Sequence, residues 1–152
     1  MSLLARLLST IAMGAILLVA STPAAAQGPF TRLQVLLPGE NAAPGTGSGK
    51  TGSALAQISG TPFTITVRAC DSQWNTVPTV SHTIQILSNN ANATLPANAQ
   101  LQNGIRTFTV TLNASGSFTV YAHNLTDGTI PHGASAMIAS QVLQAFDFGS
   151  IA

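Results

Sequence analysis

The chain is organised around one stretch in which apolar and polar residues alternate. From Phe63 to Cys70, phenylalanine, isoleucine, valine and alanine take every second position, and threonine, arginine and cysteine take the positions between them. This period of two, carried largely by β-branched residues, predicts a strand with one buried face. Because Gly60 and Pro62 precede the pattern and a polar run at 71–75 follows it, the strand is predicted at 62–70.

Shorter segments with the same alternation lie on both sides of this strand. About seven strands, with turn residues roughly every 8–12 positions, are typical of an immunoglobulin-like sandwich. The predicted fold class is therefore all-β, an immunoglobulin-like β-sandwich of about seven antiparallel strands preceded by a signal peptide. The other strands are predicted at Phe30–Leu37, Thr79–Leu87, Asn92–Leu95, Ile105–Leu112 and Ser117–His123, with a short edge strand at Ala54–Ile58.

The last element, within Ser135–Phe146, admits two interpretations. Residues 134–145 contain neither glycine nor proline and could form a helix on propensity alone. The preceding series of short strands favours a closing strand instead. Between the two sheets we expect a core of nine apolar residues, namely Phe63, Ile65, Val67, Ile84, Ile86, Phe108, Val110, Phe118 and Val120.

The longest apolar concentration lies at the N-terminus. Arg6 precedes a mostly apolar stretch at 7–20, and Ala24 and Ala26 fit the small-x-small rule of signal peptidase. This arrangement predicts cleavage between Ala26 and Gln27. An uncleaved anchor is the alternative, but the apolar stretch is shorter than a spanning helix needs.

Cleavage divides the chain into a signal peptide at 1–26, a β-sandwich domain at 27–146 and a tail at 147–152. We expect a secreted or cell-surface protein, or a periplasmic one, whose only contact with a membrane is made by the signal peptide during export. Without Arg6 the chain has four basic and four acidic residues, hence no formal net charge. Nucleic acid is therefore not expected as a partner, because its binding depends on neutralising phosphates.

The single cysteine, Cys70, cannot form a disulfide within the chain. Its position at a strand end predicts a small, partly buried hydrophobic residue. The alternative is a disulfide between two chains in an oxidising compartment.

The segment 44–51, PGTGSGKT, invites comparison with a phosphate-binding loop. That motif needs glycine where Pro44 stands, and it needs a helix after the lysine and threonine. The segment 52–60 is a poor helix candidate, and export would remove the protein from cytoplasmic ATP. A solvated loop is predicted, with no nucleotide as partner.

Residues able to carry catalysis or metal binding are few. His82, His123 and His132 show no metal-ligand spacing and have no acidic neighbour. No nucleophile elbow and no candidate pair of catalytic carboxylates is present. The sequence therefore predicts a protein that is not an enzyme and that uses no cofactor and no metal.

Several short sequence pieces stand between or within the predicted strands: LQVLLPGE at 33–40, GKTG at 49–52, GTPF at 60–63, DSQWN at 71–75, ATLP at 93–96, and Gly116 with the strand after it. Together they resemble bacterial immunoglobulin-like modules, the repeats of invasin- and intimin-type surface proteins and other large secreted adhesins. The resemblance implies a non-catalytic structural or adhesive role, with a protein or glycan at the cell surface as partner. Such modules often read Asp-x-x-Gly-Asn in one loop, and here Trp74 stands at the glycine position.

Alternate loops of such a sandwich meet at one end, so we expect the loops 71–78, 96–104 and 124–133 to be neighbours. Trp74 would then lie among four polar residues, namely Asn98, Asn103, Asp127 and His132.

Five residues of these loops are the candidate binding residues: Asp71, Trp74, Asn75, Asp127 and His132. In one hypothesis, the exposed Trp74 ring stacks on a sugar or anchors a protein partner, which would make a small-ligand or carbohydrate-binding module. In the favoured hypothesis, Trp74 folds back to cap the core, and Asp71 and Asn75 only fix the turn.

Overall fold

The part of the chain that the structure describes contains twelve short strands. The computed structural model describes residues 27–143. The predicted signal peptide at 1–26 and tail at 147–152 lie outside the described residues. In chain order the strands are β1 (Arg32–Leu36), β2 (Glu40–Ala42), β3 (Lys50–Gly52), β4 (Gln57–Ile58), β5 (Pro62–Cys70), β6 (Thr83–Ser88), β7 (Ala99–Gln100), β8 (Ile105–Thr111), β9 (Gly116–Phe118), β10 (Val120–Asn124), β11 (Gly133–Ala134) and β12 (Ile138–Gln141).

Two antiparallel sheets form the sandwich. In the first, β5 lies between β1 and β8, with Val67 opposite Val35 of β1. In the second, the order is β11-β10-β6-β7, with Ala122 of β10 opposite Ile86 of β6. The apolar faces of both sheets contribute to one buried cluster. The all-β class and the sandwich predicted from the alternation are therefore confirmed.

The buried cluster contains eight of the nine predicted core residues, and the ninth, Phe118, is half-buried against it. Each such side chain contributes about 1.5–3 kcal/mol on burial. Cys70 is also buried and free. Burial raises the pKa of its thiol to about 11, so this thiol stays protonated at neutral pH, as the hydrophobic interpretation of Cys70 requires.

The structure adds two small sheets to the predicted strands. A hairpin of β2 and β3 lies within residues 40–60, where the sequence predicts mostly loop. In the other sheet, β12 lies between β9, which is antiparallel to it, and β4, which is parallel. The strand β12 confirms the closing strand over the helix. Residues 40–60 are mostly small or polar and exposed, so no alternation marks the hairpin.

Two predicted strands are shorter in the structure, since the one predicted at 79–87 begins at Thr83 and the one predicted at 54–58 is reduced to Gln57–Ile58. Two others are divided or lost. The strand predicted at 117–123 is divided at Thr119, whose N–H donates to Asn89 Oδ1 at 2.8 Å. The chain therefore passes from the small sheet that contains β12 into the second sheet. The strand predicted at 92–95 is reduced to a single bridge between Thr94 and β8.

At one end of the sandwich, the segments before β8 and after β10 donate hydrogen bonds to residues 80–83, where β6 begins. The N–H of Gly104 donates to Val80 O at 3.1 Å, the N–H of Leu101 to His82 O at 3.0 Å, and the N–H of Leu125 to Thr83 O at 2.9 Å. A Cβ atom on Gly104 would collide with Val77 O, so the predicted loops 71–78 and 96–104 are neighbours, while the loop that begins after β10 contacts this region through Leu125 and Thr83. Residues 27–143 include no helix with the length and hydrophobicity of a membrane span.

Candidate ligand-binding surface

Asp71 organises the turn that follows β5. Its carboxylate accepts hydrogen bonds from the N–H groups of Gly28, Gln73 and Asn75 and from the side-chain amide of Asn75, at 2.8–3.0 Å. Desolvation opposes ionisation, but these hydrogen bonds outweigh it and lower the pKa of Asp71 to about 2. Because the side chain is 1% exposed and both oxygens are occupied, Asp71 and Asn75 fix the turn.

Trp74 lies in the same turn and packs against the loop between β2 and β3. Its backbone is left-handed, with φ of 66°, and its indole N–H donates to Gly47 O at 3.3 Å. The ring lies against Gly49, where a Cβ atom would collide with it, and the guanidinium of Arg32 lies 4.6 Å from the ring centroid.

This position of Trp74 differs from the predicted cap on the core. Trp74 is half-buried, yet it is not among the hydrophobic residues that pack against the buried cluster. The ring instead attaches the β2–β3 loop to the outer side of the first sheet. The physical reason is the left-handed backbone of Trp74 together with Gly49, whose missing side chain leaves room for the indole.

A cleft of about 320 Å³, here named the Trp74 cleft, opens between β1 and β11. Behind it, the buried side chain of Gln34 donates to Gly49 O at 2.9 Å and accepts a hydrogen bond from Arg68. This buried network fixes the wall of the cleft. The cleft is lined by Thr31, Arg32, Leu33, Gln34, Val35, Lys50, Trp74, Pro131, His132, Gly133 and Ala134.

A second depression, here named the Tyr121 pocket, lies on the outer face of β10 and β6. Its volume is about 220 Å³, and Leu87, Tyr121, His123 and His132 line it. The rings of Tyr121 and His132 meet edge to face, with centroids 5.9 Å apart and planes at 71°. Because His132 lines both concavities, the Trp74 cleft and the Tyr121 pocket form one surface, called the His132 surface below.

The structure therefore brings Trp74 and His132 to one cleft, but it places the other predicted neighbours elsewhere. Asp127 accepts hydrogen bonds from the N–H and hydroxyl groups of Thr129 at 2.9 and 2.6 Å, and these bonds lower the pKa of Asp127. Asn103 lines a separate depression with Arg106. Neither Asp127 nor Asn98 lines the His132 surface.

Lys50, the lysine of the phosphate-loop comparison, begins β3 and not a helix. Its ammonium group forms an ion pair with Glu40 across the β2–β3 hairpin at 3.1 Å. The amide groups of a helix N-terminus, which would face a phosphate, are therefore not present after this loop. Within residues 27–143, no three His, Cys, Asp or Glu side chains lie close enough together to hold a metal ion.

Sequence reasoning did not identify Arg32, Tyr121 or His123 as site residues. A signal for the last two was present, since Tyr121 and His123 alternate with the buried Val120 and Ala122 and so point away from the core. An aromatic ring and an imidazole on an outward strand face form a candidate surface. Arg32 carried no such signal, because its neighbours in the cleft come from distant segments.

No protein-family model matches the chain, and no curated protein matches it. Among solved structures, it is similar to a β-glucuronidase from Parabacteroides merdae at 14% identity and a TM-score of 0.52, over 76% of this chain and 13% of that one. It is also similar to a glycosyl hydrolase family 2 member from Bacteroides cellulosilyticus at 11% identity and a TM-score of 0.52, over 76% and 15% of the two chains. The chain thus spans a small part of these enzymes, and the likeness is one of fold alone.

Proposed function

We propose that the protein is a non-catalytic β-sandwich module of the bacterial immunoglobulin-like type, exported through its signal peptide, with a structural or adhesive role at the cell surface. The proposed partner is a protein or a glycan, with neither nucleic acid nor nucleotide involved. The fold supports the module, and the sequence at 1–26 supports export.

The observation that carries the proposal is that each carboxylate within residues 27–143 is already hydrogen-bonded to other groups of the protein. Glu40 accepts hydrogen bonds from the N–H of Leu37 at 2.9 Å and from Lys50. Asp71 is buried in its turn, and Asp127 is bonded to Thr129. A general acid or base must reach its substrate, and none of these three carboxylates lines the His132 surface.

A second candidate function is that of a small-ligand or carbohydrate-binding module. The observation that favours it is the His132 surface, where Trp74, Tyr121 and two imidazoles lie beside cationic groups. Aromatic rings with polar groups around them are typical of sites that bind sugars or protein anchors. This candidate refines the adhesive role, because a module of an adhesin acts through such a surface.

The proposal is tested with the full chain expressed in a bacterium and the exported protein purified. Mass spectrometry should find Gln27 at the N-terminus. Beads coated with the protein should adhere to cells or to immobilised polysaccharides more than beads coated with albumin, and a panel of chromogenic glycosides should remain uncleaved. Retention of Met1–Ala26 would contradict export. Glycoside cleavage that Asp71→Asn or Asp127→Asn abolishes would contradict the non-catalytic role.

A further inference from the structure

We infer that the His132 surface binds a carboxylate-bearing saccharide, with the sugar ring in the Tyr121 pocket and the carboxylate at Arg32. The inference rests on the proposed adhesive function and names its ligand. It depends on the charge of the Trp74 cleft, the chemistry of the Tyr121 pocket and the closed backbone edge between them.

Arg32 is positioned to receive an anion. Its guanidinium lies over the Trp74 ring, a contact that orients the group through its face and leaves the N–H groups at its edge free. No hydrogen bond or ion pair from this side chain occurs within residues 27–143. A planar guanidinium with free donors matches the two oxygens of a carboxylate.

The charges around Arg32 leave the Trp74 cleft positive. Lys50 also lines the cleft, but its charge is neutralised by the ion pair with Glu40 at 3.1 Å. Neither the cleft nor the Tyr121 pocket has a carboxylate among its lining residues. The half-buried Arg32 is thus the unneutralised cation of this surface, and an anionic ligand complements it.

The Tyr121 pocket suits a sugar ring. The Tyr121 ring and the side chain of Leu87, which is 40% exposed, offer an apolar floor for the C–H face of a pyranose. The exposed imidazoles of His123 and His132 stand at its rim, and each can donate to or accept from a hydroxyl group. His132 lines both the Tyr121 pocket and the Trp74 cleft, which is why we assign the sugar ring to the first and its carboxylate to Arg32 in the second.

A saccharide fits this surface better than an acidic peptide that pairs as an added strand. Strand addition needs a free backbone edge, but the edge of β11 faces β1 at close range. A Cβ atom on Gly133 would lie 2.7 Å from Leu33 O, so no strand can enter between β11 and β1. A ligand at this edge must therefore be recognised by side chains, and a saccharide can be bound in that way.

The test uses the fluorescence of Trp74, the only tryptophan of the protein. Mature protein is titrated with uronate tetrasaccharides from alginate and from polygalacturonate, and with neutral maltotetraose. At least one uronate should change the emission and bind roughly tenfold or more tightly than maltotetraose. Arg32→Gln and Tyr121→Ala should each weaken uronate binding by about tenfold or more. Arg106→Gln is the matched control, since Arg106 also lies near an aromatic ring but in a separate depression.

The outcomes separate the inference from the function on which it rests. Each variant is first shown by urea unfolding to retain its fold. Three results would overturn the saccharide assignment. Maltotetraose could bind as tightly as the uronates, Arg106→Gln could weaken uronate binding as much as Arg32→Gln does, or a hexaglutamate peptide could compete with the uronate as well as a second uronate does. If the coated beads adhere but neither uronate binds, the inference fails and the adhesive function remains. If the beads do not adhere while a uronate binds and Arg32→Gln abolishes binding, the adhesive function fails and the site remains.

Discussion

Because Asp71 holds the turn after β5, the stability of the protein should decrease as pH falls, and the substitution Asp71→Asn should remove this part of the pH dependence. The carboxyl pKa falls from an ordinary value of 3.8 to about 2 in the folded state. A carboxyl group with a lowered folded pKa stabilises the fold fully above its unfolded pKa and loses that contribution as pH falls through its folded pKa. The shift of nearly two units corresponds to about 2 kcal/mol of stability, lost between about pH 4 and pH 2.

The perturbation is Asp71→Asn, which removes the charge and turns one acceptor oxygen into a donor that faces the N–H groups of the turn. At pH 6 we expect a loss of about 2 kcal/mol or more in the free energy of unfolding. At pH 2 the difference from the native protein should shrink by about 2 kcal/mol, because the carboxyl is then protonated in the unfolded chain and about half protonated in the folded one.

The assay is urea unfolding of the mature native protein and the variant at several pH values between 6 and 2. Asp127→Asn is the control, because that exposed carboxylate is bonded only to Thr129 and should show a smaller effect. A constant difference between the native protein and Asp71→Asn at all pH values would refute the reasoning. An equally large pH-dependent difference in unfolding free energy between the native protein and Asp127→Asn would also refute it.

Two further predictions concern the core and the β2–β3 loop. Val67→Ala, at a fully buried position, should lower the free energy of unfolding by about 1–3 kcal/mol, as measured by chemical unfolding. The control Thr109→Ala, on the exposed face of β8, should change it by less than about 0.5 kcal/mol. Equal effects would contradict the assigned inner face. Gly49→Ala should lower stability more than Gly45→Ala and should shift the Trp74 emission. Both glycines have positive φ, but only a Cβ at Gly49 meets the indole. Matching losses of stability and an unchanged emission would contradict the packing of Trp74.

The strands that bury one face could be predicted from the sequence, whereas the strands that are exposed on both faces could not. Phe63 and Val67 alternate with polar residues because one side of β5 contacts the core, so the burial is written into the sequence as a period of two. The β2–β3 hairpin has exposed residues on both faces. Its shape depends on the left-handed backbones of Gly49 and Gly52, which leave no hydrophobic pattern.

The candidate surface was predicted in part, for a similar reason. Loop topology was sufficient to expect Trp74 near His132. It was not sufficient to show that the segment ending at Gly133 lies against β1, which brings Arg32 into the cleft. The direction of the Trp74 ring could not be predicted either, because a left-handed backbone at tryptophan is uncommon and turns the ring toward Gly49 and away from the core.

The most direct test of the proposed site is a set of amide NMR spectra of the isotope-labelled mature protein, recorded during titration with the two uronate tetrasaccharides. We predict that the largest shifts fall at the residues of the Trp74 cleft and the Tyr121 pocket, including Arg32, Trp74, Tyr121 and His132. Shifts concentrated instead on the outer threonines of β5 and β8, or an unchanged spectrum with both ligands, would contradict it.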